Sequence, residues 1–88
     1  MLTLPDALTH GQATDCLAQC VAKLAAEPTP VQVDARALRH FDSSTLAVLL
    51  ALRRACAGLD KTMVVQGLPD GLRDLAALYG VEALLPSA

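Results

Sequence analysis

The stretch Val31-Gln-Val-Asp-Ala-Arg-Ala-Leu-Arg-His-Phe-Asp-Ser-Ser-Thr-Leu-Ala-Val-Leu-Leu50 decides the fold of this chain. It opens with the alternation of apolar and polar residues that is typical of a half-buried strand, and it closes as a helix with almost no polar side. An aspartate and two serines, Asp42, Ser43 and Ser44, stand at the junction. Such residues favour helix starts, where the free amides suit a phosphate or a docking partner. The stretch therefore predicts a strand-to-helix unit with a docking or switch surface rather than an active site.

The rest of the chain repeats this strand-to-helix order. Apolar spacing and turn residues predict strands at residues 2–4, 31–35 and 63–65, and helices at residues 10–26, 43–57 and 72–79. Three strand–helix pairs in succession predict an α/β fold: a small open sheet of three to four strands with crossover helices packed against it. Residues 1–88 are predicted to form one domain, since no linker, repeat or low-complexity tract interrupts them.

The composition limits the classes of function. Hydrophobic residues make up 53% of the chain, only Phe41 and Tyr79 are aromatic, and the net charge is −2 without a basic run. Nucleic-acid binding is not expected, since it needs basic patches and stacking platforms. Direct membrane insertion is not expected either, because no apolar run approaches the ~18 residues of a span. The three cysteines, Cys16, Cys20 and Cys56, lack zinc-site spacing. A cytoplasmic protein without metal or cofactor is predicted.

The second predicted helix is more apolar than one sheet-facing helix requires. Every residue between Leu46 and Leu52 is Leu, Ala or Val, whereas an amphipathic helix needs an apolar stripe of only about 100°. The positions that suit contact with the sheet are Thr45, Val48, Leu49, Leu52 and Cys56. Leu46, Ala47 and Leu50 then point elsewhere, and an exposed apolar patch usually marks a binding site. Arg53 and Arg54 would form its charged rim. Cover by the first or third helix is the alternative, and the sequence leaves it open.

Catalysis is not supported by the titratable residues. A small enzyme needs a nucleophile with its base, a metal set or a pair of working carboxylates. His40 lies three residues before Ser43, but no oxyanion loop accompanies them, and no orienting acid beyond Asp34 or Asp42. Those two aspartates are interpreted as solvated turn and capping residues. No glycine-rich loop is present for a nucleotide. The chain is therefore predicted to be a binding module and not an enzyme.

The run Asp42-Ser-Ser-Thr-Leu-Ala-Val-Leu-Leu50, after a strand that contains Asp34, resembles the signature of the STAS domain. This fold is shared by anti-sigma-factor antagonists and sulfate-transporter tails. The stretch Met63-Val-Val-Gln-Gly67 is similar to the next strand of the family, and Leu72-Arg-Asp-Leu-Ala-Ala-Leu-Tyr-Gly-Val81 is similar to its last helix. The ending Leu78-Tyr-Gly-Val-Glu-Ala-Leu-Leu-Pro86 is similar to one branch in particular. That branch is the small cytoplasmic STAS subunit of the bacterial ABC system that maintains outer-membrane lipid asymmetry.

The resemblance implies two alternative functions. In the lipid-transport branch the hydroxyl residue directly after the aspartate, here Ser43, helps to engage the ATPase subunit. That STAS subunit supports the ATPase without hydrolysing nucleotide, and it is held at the inner membrane by its partner. In anti-sigma-factor antagonists the second hydroxyl residue, here Ser44, is phosphorylated by an anti-sigma kinase. The ending and Thr45, which stands where antagonists commonly carry glycine, favour the ABC ATPase as partner; the doubled serine favours the kinase.

A partner is expected to bind at the start of the second helix and along its apolar patch. The contact is assigned to Asp42, Ser43, Ser44, Thr45, Leu46, Ala47, Leu50, Arg53 and Arg54. Substitution of Leu46 or Leu50 by Asp is expected to abolish binding and to leave the fold largely intact. The N-terminal part is shorter than is usual in the family, with room for at most one strand before the first helix. An open sheet edge invites pairing with another chain, so a homodimer is a hypothesis.

Overall fold

Short strands alternate with three helices in the computed structural model, which describes residues 1–87. The helices are α1 (His10–Lys23), α2 (Ser43–Gly58) and α3 (Asp70–Leu78). The strands are β1 (Leu2–Thr3), β2 (Ala7–Leu8), β3 (Val31–Asp34), β4 (His40–Phe41) and β5 (Met63–Gln66). Helix α1 is shorter than predicted because its last turn tightens into a 3₁₀ turn at Leu24–Ala26. The one domain predicted for residues 1–88 reaches Ala88, which lies outside the described residues.

The main sheet is parallel, with the strand order β1-β3-β5. Val33 lies at its centre and pairs with Leu2 of β1 on one side and Val65 of β5 on the other. Parallel neighbours need a crossover, so α1 connects β1 to β3 and α2 connects β3 to β5. Both crossovers step in the same direction, so right-handed connections put α1 and α2 on one face of the sheet. The two helices pack against each other there. The predicted α/β class, with its small open sheet and crossover helices, is confirmed.

The face of the sheet beneath these helices forms the core, because strand residues alternate between the two faces. The buried strand positions on it are Leu2, Val31, Val33, Met63 and Val65. Helix α2 is buried along most of its length, through Leu46, Val48, Leu49, Leu52 and Cys56. Thr3 and Gln32, which point to the opposite face of the sheet, are exposed. The buried apolar side chains of the main sheet therefore lie mainly on one of its faces.

A second, smaller sheet was not predicted. It pairs β2 with β4 in parallel, Ala7 beside His40 and Leu8 beside Phe41. Leu4, Pro5 and Asp6 connect β1 to β2, so two strands precede α1, and the prediction of at most one is wrong. The carbonyl of Asp6 accepts hydrogen bonds from the amides of Arg39 and His40 at 2.7 and 2.9 Å. A two-residue strand is too short to show a period in the sequence, and long-range pairing of this kind fixes it instead.

Candidate functional site

Helices α1 and α2 begin side by side at one end of the molecule. Their starts follow β2 and β4 after one residue each, Thr9 and Asp42. Because β2 and β4 are neighbours in parallel, the two helices enter the structure at the same level. Helix α3 also begins here: at Gly71 an added Cβ would lie 3.2 Å from Cζ of Phe41. The Asp-Ser-Ser segment singled out in the sequence is thus flanked by the starts of two other helices.

Asp42 links the starts of α1 and α2. One carboxylate oxygen, Oδ1, accepts a hydrogen bond from the amide of Ser44 at 2.8 Å. The other, Oδ2, accepts one from the amide of His10 at 3.2 Å. The predicted capping role of Asp42 is confirmed for α2 and extends to α1, which the sequence did not indicate. A negative charge is favourable here because it faces the positive ends of two helix dipoles. With both of its oxygens engaged inside the chain, Asp42 orients the site.

Thr45 connects the first turn of α2 to strand β2. Its side chain is fully buried. The hydroxyl accepts a hydrogen bond from the amide of Asp42 at 3.2 Å and donates one to the carbonyl of Leu8 in β2. A fully buried side chain cannot touch a docking protein, so the assignment of Thr45 to the partner contact is wrong. For the same reason, the threonine that replaces the common glycine of antagonists does not obstruct the surface of this chain.

The two serine hydroxyls are differently placed. Ser43 is exposed at the first position of α2, and Ser44 is half-buried beside it. Within residues 1–87 neither hydroxyl makes a hydrogen bond to the protein, because Asp42 supplies the cap instead. A hydroxyl offers one donor and two acceptor positions, and at the exposed Ser43 none of them is used within the described residues. Ser43 is therefore available to a partner without any loss of internal contacts.

Leu46 does not lie on this surface. Its exposed fraction is 3%, and it belongs to the core that α2 shares with the rest of the molecule. Helix α2 contacts both α1 and α3, so the alternative left open by the sequence, cover by a neighbouring helix, is what occurs here. The expectation that Leu46 is exposed is therefore wrong. From this burial we now expect that an Asp at this position would disrupt the fold rather than leave it intact. A buried carboxylate without a partner strongly destabilises a protein.

An exposed row remains along α2. Positions three and four residues apart share one side of a helix, and the row consists of Ser43, Ala47, Leu50, Ala51 and Arg54. We call it the α2 surface. Ala47 and Arg54 are exposed, and Leu50 and Ala51 are half-buried. Arg53 is exposed as well, but it lines a separate groove with Met63 and Pro86. Of the two arginines predicted to border the contact, only Arg54 is part of the α2 surface.

Asp34 is not the solvated aspartate that was expected. Its exposed fraction is 9%, and its carboxylate binds the guanidinium of Arg36 through both oxygens, at 2.9 and 3.0 Å. These side-chain hydrogen bonds, together with one from the Arg36 amide, hold the pKa of Asp34 below its ordinary value. The Arg36 side chain crosses Gly67, where an added Cβ would clash with its Cγ. The ion pair with Asp34 thus orients the Arg36 side chain, which packs against the residue that follows β5.

The described residues show neither a metal centre nor a membrane span. In residues 1–87 no three His, Cys, Asp or Glu side chains are grouped so that they could hold a metal ion. Burial raises the pKa of Cys16 to about 11, and the neighbouring Cys20 adds to the increase. Over the same residues, no helix has both the length and the apolar character needed to cross a bilayer. The arrangement offers hydroxyls and a shallow, largely apolar helix face, which suit protein binding.

Comparison with known proteins is consistent with this geometry. A family model described as "Mlab, STAS domain" matches residues 1–86. No curated protein matches the chain. The matched residues include both sheets, all three helices and the Asp42 junction. STAS domains are generally non-catalytic modules that mediate contacts between proteins. Because the family model matches residues 1–86 of the 88 in the sequence, the chain belongs to the STAS domain family.

Proposed function

We propose that this STAS domain is a non-catalytic accessory subunit that binds the ATPase of a phospholipid-transport ABC complex through the α2 surface. The observation that carries the proposal is the α2 surface itself, a partly exposed row that begins with a hydroxyl not used by any contact within the described residues. The description of the matching family and the similarity of the C-terminal residues to the lipid-transport branch support this type of partner. In this proposal the protein works in the cytoplasm and is held at the inner membrane by its partner.

The chemistry of the row suits a closely packed contact. Ala47 and Ala51 carry only a methyl group, so a partner helix or loop can approach the α2 backbone there. Leu50 adds apolar area at the centre, and Ser43 and Arg54 supply polar groups at the two ends. An apolar centre with a polar rim is the usual composition of a protein interface. Because Asp42 and Thr45 fix the first turn of α2, little conformational entropy is lost when the partner binds.

A phosphorylation switch at Ser44 is the second candidate, supported by the doubled serine. Ser44 is less exposed than Ser43, and its amide is bonded to the Asp42 carboxylate at 2.8 Å. A phosphate on Ser44 would place almost two further negative charges beside that carboxylate. Like charges this close repel, so modification would weaken the cap that orders the site. This argument favours docking through Ser43 over modification of Ser44.

Coexpression with the ATPase subunit encoded in the same genome tests the proposal. The tagged chain should copurify with that subunit, and Ala47→Arg should weaken binding by at least about tenfold, as for a contact at the centre of an interface. Ala77→Arg is the matched control, because Ala77 is an exposed alanine on α3 and should have no effect. Copurification of an anti-sigma kinase with phosphate on Ser44 would instead support the second candidate. Unchanged ATPase binding by Ala47→Arg would rule out the α2 surface.

A further inference from the structure

A second surface, away from α2, lies along the edge of the main sheet. A groove of about 470 Å³ runs between β1 and α1. Its apolar lining is Leu2, Leu4, Pro5, Cys16 and Cys20. Its polar lining includes Thr3, Asp15, Gln19 and Lys23. No residue of α2 contributes to it, so an occupant of this groove leaves the α2 surface free.

The sheet-edge side of the groove presents main-chain hydrogen-bonding groups. Strand β1 stands at the end of the order β1-β3-β5, so one of its sides has no neighbouring strand. The amide of Leu4 donates to the carbonyl of Asp34 in β3 at 2.9 Å. Main-chain groups alternate in direction along a strand, so the N–H and C=O of Thr3 point to the open side. An antiparallel neighbour centred on Thr3 would exchange two hydrogen bonds with this one residue.

The helix side of the groove carries two charges that no internal partner neutralises. Asp15 and Lys23 are both exposed, and within residues 1–87 neither forms an ion pair. They lie at equal distances along α1 from Gln19, four residues before and four residues after it. A twofold axis near Gln19 would therefore bring Asp15 of one copy to Lys23 of the other, and the reverse. The grooves of two copies are therefore complementary in charge.

From this geometry we propose that the groove between β1 and α1 is a homodimer interface. Two copies pair their β1 strands in antiparallel fashion at Thr3, and they exchange two Asp15–Lys23 contacts between their α1 helices. An isologous contact requires that the same patch complements itself, and the hydrogen-bonding groups and the charges both meet that requirement. The contact uses the open edge of β1 in both copies, and the strand is only two residues long, so the pairing closes as a dimer. The charges on α1 set the register that so short a strand leaves unfixed.

Sedimentation equilibrium of the purified chain, under reducing conditions and over about 1 µM to 1 mM, measures this association. The apparent mass should rise with concentration from 9.2 kDa towards twice that value. Asp15→Lys or Lys23→Glu alone replaces both attractive contacts by repulsive ones, and each should weaken the dimer by about tenfold or more. The double variant, or an equimolar mixture of the two single variants, should restore association. Asp74→Lys reverses an exposed charge on α3 and serves as the control.

Two results would overturn the proposal. If the apparent mass stays at 9.2 kDa at every concentration, the chain does not form a dimer, and the groove would instead suit a strand of a different protein. A dimer that responds equally to Asp74→Lys and Lys23→Glu, or that the double variant does not restore, would place the contact elsewhere. Both substituted α1 residues are exposed, so circular dichroism of the variants should match that of the unmodified chain. Because the α2 surface is separate, ATPase binding and self-association can fail independently.

Discussion

The carboxylate of Asp42 accepts a hydrogen bond from the amide of His10, 32 residues earlier in the chain, at 3.2 Å. Its other oxygen accepts from Ser44 at 2.8 Å, so one side chain serves the first turns of both α1 and α2. The contact exists because β2 and β4 lie side by side and deliver the two helices to the same place. With Asp42 acting as the cap, the hydroxyl of the exposed Ser43 is not needed to cap α2 and stays available to a partner.

Removal of the Asp42 carboxylate should therefore destabilise the protein more than loss of an ordinary helix cap. We expect Asp42→Ala to lower the free energy of unfolding by about 1–2 kcal/mol, the upper range for a capping residue, because two helices lose an acceptor. Asp42→Asn should keep most of the stability, since an amide oxygen also caps. Urea denaturation followed by circular dichroism measures both. Asp74→Asn, an exposed substitution on α3, is the control, and an equal loss in all three variants would contradict the capping role.

Leu46 and Ala47 are adjacent in sequence, but substitutions at the two positions should differ greatly in their effect on stability. Leu46→Ala leaves a cavity in the core and should lower the free energy of unfolding by about 2–5 kcal/mol. Ala47→Ser changes an exposed position and should alter it by no more than about 0.5 kcal/mol. Thermal and urea denaturation measure the difference. A loss below about 1 kcal/mol for Leu46→Ala would mean that this side chain is not part of the core.

Acid should weaken the contact between Asp34 and Arg36. The pKa of Asp34 lies below its ordinary value of 3.8 in the folded protein, because Arg36 binds the ionised form. The contact thus contributes its full stability above pH 3.8 and loses it as the pH falls through the lower, folded-state pKa. The stability difference between the unmodified chain and Asp34→Asn should be constant at neutral pH and should shrink in this acid range. A difference that stays constant through this acid range would contradict the contribution of the Asp34–Arg36 contact to stability.

The Cys16 thiol should react slowly in the native protein. Burial, followed by the influence of Cys20, raises its pKa from 9.0 to about 11. At pH 8 its thiolate fraction should then be about 100-fold lower than that of an unperturbed thiol, and the thiolate is the reactive form. Alkylation by iodoacetamide, followed by peptide mass spectrometry, measures the rate at each cysteine. In urea all three cysteines should react at the rate of a free thiol. Rapid native labelling of Cys16 would contradict the increase in pKa.

Several parts of this protein follow from the sequence because their causes are local. The alternation from Val31 to Asp34 and the cap at Asp42 each depend on residues close to one another in the chain. Parallel order follows too, since strands that alternate with helices need crossover connections. These features predicted the α/β class and the position of the hydroxyl residues at the start of α2. The similarity to STAS domains was carried by the same local features.

The tertiary structure decided which side of α2 faces outward. Leu46, Ala47 and Leu50 are alike in the sequence, but their burial depends on where α1 and α3 lie, and no local pattern contains that information. The same holds for Thr45, whose hydroxyl bonds to a carbonyl 37 residues away. The pairing of β2 with β4 is likewise a long-range contact between segments too short to have a period. Local chemistry therefore fixed the helices and the strands of the main sheet, and packing between distant segments fixed the smaller sheet and which atoms remain available to a partner.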